Sequence, residues 1–111
     1  MKLQLNQRNG RNVLRPEGEF TIYGAVEFRD ELLKAMRAEG DLEIDLASAT
    51  EMDGAGLQML LLSKREAEAN GKKLYLSGAS PAVVEVMQLC NVAAWFEALP
   101  AGEHAAPSSA A

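Results

Sequence analysis

With 111 residues, 48% of them hydrophobic, the chain has apolar surface for one compact core and too little length for two ordinary domains. A formal net charge of -5 argues against a nucleic-acid phosphate backbone as the primary partner, because that contact depends on Lys and Arg. No run approaches the roughly 18 apolar residues of a membrane span, the single Cys90 can form no internal disulfide, and the start Met1 to Asn6 lacks the apolar region of a signal peptide, so a reducing cytoplasm is the expected location.

At the start, Leu3 and Leu5 alternate with Gln4 and Asn6, Asn9-Gly10 offers a turn, and Asn12 to Arg15 resumes an extended pattern, which predicts a hairpin. Pro16 and Gly18 are expected to interrupt it before a third short strand over Glu19 to Ile22. From Ala25 the period changes: Ala25, Phe28, Leu32 and Met36 recur at three- and four-residue steps, the pattern of an amphipathic helix ended by Gly40. Leu42, Ile44 and Leu46 then alternate with Glu43 and Asp45, predicting a strand with its apolar side chains on one face. Ser48, Thr50 and Asp53 make the stretch that follows a polar exit loop.

A helix is expected to begin near Gly56, with Leu57, Leu60 and Leu61 on its buried face, and to stop at Asn70-Gly71. Lys73 to Ser77 is the next strand, parallel to the one at 42–46 if the crossover is right-handed. Ser80-Pro81 then supplies a capping hydroxyl and a first-turn proline for a helix whose apolar face holds Val83, Val84, Met87 and Cys90. Trp95, Phe96 and Leu99 close the folded part, and residues 100–111, rich in Ala, Pro and Ser, read as a flexible tail. The alternation of strands and helices is an α/β pattern.

Several of these stretches together resemble one family. They are Phe20-Thr21-Ile22-Tyr23, Leu46 with a polar loop into Asp53-Gly54-Ala55-Gly56-Leu57, Gly71-Lys72-Lys73-Leu74, and Ser80-Pro81-Ala82-Val83. In order and spacing they resemble STAS domains, the family of anti-sigma factor antagonists and of the cytoplasmic domains of sulfate transporters, over roughly residues 2–99. The resemblance implies a mixed four- to five-stranded sheet with helices largely on one face, no catalytic centre and no cofactor. It also implies a protein partner of kinase or signalling type, bound through the 47–58 loop and the helix after it.

In the regulatory members, that loop reads Asp, Ser or Thr, a small residue, Gly and an aliphatic residue, and the hydroxyl is the phosphoacceptor. Mapped residue by residue, Asp53 takes the acidic position, Ala55 the small one, Gly56 the glycine and Leu57 the aliphatic. Gly54 stands at the acceptor position and has no hydroxyl. Three readings follow: a binding module held in its unphosphorylated state, a switch moved to Thr50 or Ser48 with Ser63 farther along the helix, or a cytoplasmic subunit of a chemosensory or lipid-transport assembly. The start at Met1 directly before the first strand favours a free-standing protein over a transporter tail.

Other features have structural explanations beside the functional ones. Asp53 has the chemistry of a helix N-cap, Gly56 that of a close-packed turn, and the leucines after it that of core. Cys90 reads as a small buried hydrophobe, and Lys64-Arg65 and Lys72-Lys73 as solvated faces. Enzymatic chemistry lacks its parts: the one histidine, His104, lies in the expected tail, no metal-ligand set is spaced for coordination, and Asp53-Gly54-Ala55-Gly56 does not make a phosphate loop.

Overall fold

The computed structural model describes residues 2–89. The expectations for Cys90, for Trp95, Phe96 and Leu99, for His104 and for the tail at 100–111 lie outside them. Strand β1 (Lys2–Arg8) turns through Asn9 and Gly10, both with positive φ (56° and 78°), into β2 (Arg11–Phe20), which gives the expected hairpin its two-residue connection. Helix α1 (Ala25–Arg37), β3 (Asp41–Asp45), β4 (Ala49–Met52), α2 (Gly54–Ala69), β5 (Leu74–Ser77) and α3 (Pro81–Leu89) follow. A short 3-10 turn, Ile22–Gly24, joins β2 to α1.

The five strands form one mixed sheet in the order β1-β2-β3-β5, with β4 also paired to β2. β1 and β2 are antiparallel, and the other pairings are parallel, including the expected β3–β5 pair. The long β2 serves two partners in succession, β3 along Arg11–Leu14 and β4 along Gly18–Phe20. This corrects the expected break at Pro16 and Gly18. Pair types alternate from the hairpin-closing Arg8 and Arg11, so the Pro16 nitrogen points away from β1 into the gap between β3 and β4, where no ladder bond is lost. Glu19-Phe20 therefore ends β2 and begins no separate strand, while Ile22 enters the 3-10 turn.

The three helices pack on one face of the sheet. Phe28 and Leu32 from α1, Leu57 and Leu60 from α2, and Val83 and Met87 from α3 meet Leu14, Leu42, Ile44 and Leu46 in a single cluster. Phe20 at the end of β2 packs on Phe28, with ring centroids 5.1 Å apart. Burial of large apolar side chains in such a cluster stabilises by about 1.5–3 kcal/mol each.

The opposite face of β3 is less open than strict alternation implies. Glu43 is only 1% exposed. Its Oε2 accepts from Arg8 Nη2 at 2.6 Å and from Ser77 Oγ at 2.8 Å, its Oε1 accepts from Arg11 Nη1 at 3.3 Å, and the Arg11 guanidinium lies 3.6 Å from the Tyr75 ring centroid. An isolated buried carboxylate costs several kcal/mol, and these donors offset it.

Two expected solvated lysines are also engaged. Lys72 Nζ donates to the carbonyls of Ala38 (2.7 Å) and Gly40 (2.8 Å) after α1, satisfying oxygens that the helix end leaves over, and Lys64 pairs with Glu68 at 2.6 Å. Among the described residues, no helix is long and apolar enough to cross a membrane.

Candidate partner-binding site

The stretch expected to be a loop is mostly regular structure. Ala49–Met52 is β4, with its end residues buried and Thr50 and Glu51 exposed, and α2 begins at Gly54, earlier than the expected Gly56. Only Asp53 separates the two elements. Its backbone is extended (φ -111°, ψ -170°), and its Oδ1 accepts the Gly56 N–H at 3.0 Å while its carbonyl accepts from Leu57 N at 3.0 Å. Asp53 is thus the N-cap of α2, and its negative charge sits at the positive end of the helix dipole.

The next four residues divide by environment. Gly54 is exposed, its φ is not positive, and a Cβ built on it meets nothing within 4 Å. Nothing in the backbone demands glycine there. A Cβ on Gly56, in contrast, would collide with the Phe20 carbonyl oxygen and lie 2.6 Å from Met52 Cγ, so this glycine lets α2 approach the end of β2. Ala55 is half-buried, and Leu57 is buried in the core cluster. The outward-facing part of the candidate site is therefore Asp53 and Gly54, with Gln58 one turn farther along α2.

The two alternative hydroxyls lie upstream. Thr50 is exposed at the middle of β4. Ser48 is half-buried in the turn before β4, and its Oγ accepts from Arg15 Nε (3.1 Å) and Nη2 (2.7 Å). Ser63 is buried and donates to the Met59 carbonyl at 2.7 Å within α2.

A further part of this surface was not singled out from sequence. Phe20 and Met52 are register partners at the carboxyl ends of β2 and β4, so both chains leave the sheet at the same end. One enters Asp53-Gly54, and the other enters the 3-10 turn and the start of α1. There Ile22, Tyr23 and Val26 stand 63%, 92% and 74% exposed. The signal in the sequence was phase: Val26 falls outside the Ala25, Phe28, Leu32, Met36 stripe, and an apolar residue on the far face of an amphipathic helix has no core to enter.

Comparison with known proteins agrees with this architecture. The family described as "Mlab, STAS domain" matches residues 3–99. The anti-sigma-B factor antagonist of Staphylococcus epidermidis is 34% identical over 77 residues, which span 68% of this chain and 70% of that protein. Among solved structures, the anti-sigma factor antagonist SpoIIAA in its unphosphorylated form superposes with a TM-score of 0.65 at 24% identity, covering 79% of this chain and 83% of that one. A STAS domain protein from Planctomyces limnophilus gives 0.72 at 16% identity, over 89% and 87% of the two chains. The chain belongs to the STAS domain family and is an anti-sigma factor antagonist-like member of it.

Proposed function

We propose that this protein acts by binding and not by catalysis, engaging a kinase-type or signalling protein through the end of the sheet where α2 and α1 begin. The observation that carries this reading is the pairing of an exposed, capped helix N-terminus at Asp53-Gly54 with the exposed apolar side chains of Ile22, Tyr23 and Val26 at the same sheet end. Exposed aromatic and aliphatic groups supply desolvation energy, and the helix terminus with its carboxylate supplies orientation. Ala55, Gly56 and Leu57 act from beneath, fixing the angle at which α2 presents its first turn.

Gly54 stands where the related regulatory proteins carry a hydroxyl, so the same surface is held without a phosphate at that position. Open space around Gly54 supports a test. The tagged chain is used to capture partners from its native cells, and the recovered partner is then titrated against the wild type, Gly54→Asp and Asp53→Lys. The expected result is a soluble ATP-binding or signalling protein whose Kd rises at least tenfold with either variant. Equal affinity for all three, with the fold intact, would place the interface elsewhere, and capture of membrane-transport or chemoreceptor components would favour the assembly reading.

A further inference from the structure

The edge of the sheet at β1 is open along its length. Among the described residues β1 pairs with β2 alone, in an unbroken register from Lys2–Glu17 to Arg8–Arg11, and Leu3 is half-buried while the rest of the strand is exposed. Natural sheets guard such an edge with a proline, a bulge or a charge in mid-strand. β1 has none of these: its charges stand at its two ends, Lys2 and Arg8, and Leu3-Gln4-Leu5-Asn6-Gln7 between them is uncharged. Alternation from the hairpin-closing Arg8 and Arg11 turns the N–H and C=O groups of Leu3, Leu5 and Gln7 away from β2, toward the open side. The side chains of Leu3 and Leu5 lie on the sheet face that carries the helices. There Leu3 packs on the core cluster, and Leu5, beside the buried Leu14, is still 40% exposed.

We infer that this edge takes a second copy of the chain, the two β1 strands pairing antiparallel about a twofold axis and joining two sheets into one. The sequence of β1 selects the register. With Leu3 of one copy opposite Leu5 of the other, outward-facing groups meet, each leucine donating its N–H to the other's carbonyl. The leucines of both copies then gather on the helix-bearing face, Gln4 stands beside its own copy at the axis, and Lys2 lies opposite Asn6. Sliding the strands until Leu5 meets Leu5 would instead set Lys2 against Arg8 twice, like charges in direct opposition. The nearest helix suits the same symmetry. α1 packs on both β1 and β2, and its outer groove is lined by Glu27, Asp30 and Glu31 in the first half and by Lys34 and Arg37 in the second. An axis that reverses β1 also reverses α1, so the acidic half of one copy is turned toward the basic half of the other. The edge lies at the side of the sheet, apart from the end that carries Asp53-Gly54 and Tyr23, so pairing leaves that end free for a partner.

Sedimentation equilibrium of the full chain over a dilution series, joined to amide exchange read by NMR, tests this. The mass is expected to rise with concentration from 12.0 kDa toward twice that value. The Leu3 and Leu5 N–H groups are expected to exchange about tenfold more slowly in the concentrated sample than in the dilute one, and those of Gln4 and Asn6, already bonded to β2, to change less. Gln4→Asp, which brings two carboxylates together at the axis, and Leu5→Lys are exposed substitutions expected to fold and to remain monomeric at every concentration. A wild type that stays monomeric throughout overturns the inference. So does a dimer that either variant leaves intact, or one whose added protection falls outside β1.

Discussion

Gly54 and Gly56 lie on one turn of α2 and face opposite demands. A methyl group on Gly56 would meet the Phe20 carbonyl and Met52, whereas one on Gly54 would meet solvent. Gly56→Ala is expected to destabilise by about 1–3 kcal/mol through overpacking, and Gly54→Ala to be neutral or stabilising by up to about 1 kcal/mol, both read from urea unfolding midpoints. Asp53→Ala removes the cap to Gly56 N and should cost about 0.5–2 kcal/mol, while Asp53→Asn, which keeps the acceptor oxygen, should recover most of that in the same assay. The cap was legible in the sequence because Asp before a glycine-rich turn and a leucine run has few other uses. That Gly56 is compelled and Gly54 is not was not legible, since the deciding atoms belong to Phe20, distant in sequence.

At the scale of elements, the hairpin, α1, the β3–β5 pair and the end of α2 at Asn70-Gly71 follow from local signals that tertiary packing leaves in force. β4 was missed because its four residues bury only Ala49 and Met52, with Thr50 and Glu51 between them, a spacing that lacks the alternation of a strand. It is a strand because the second half of β2 has a free edge. The same edge-sharing explains why Pro16 sits inside β2. Glu43 is a second case of tertiary context prevailing over pattern: alternation puts it opposite the core, and Arg8, Arg11 and Ser77 make its burial tenable. Glu43→Ala should therefore destabilise by roughly 3 kcal/mol, comparable to the roughly 2–5 kcal/mol expected for Leu60→Ala in the core, although its hydropathy suggests a harmless surface change. Paired denaturant titrations check the comparison.

For the whole molecule, one sheet carries helices on one face, and the starts of α1 and α2 leave it at the same end, so the core presents Asp53-Gly54 and Ile22-Tyr23-Val26 together. The family resemblance read from the sequence located the first of these patches; only the Phe20–Met52 register brings in the second. The most direct measurement is the Kd of the purified captured partner for the wild type, Tyr23→Asp and Gln4→Asp, the last lying on the exposed strand β1. A loss of at least tenfold with Tyr23→Asp and unchanged affinity with Gln4→Asp is the expected result. Unchanged affinity with Tyr23→Asp, or a loss confined to Gln4→Asp, would contradict binding through this end of the sheet.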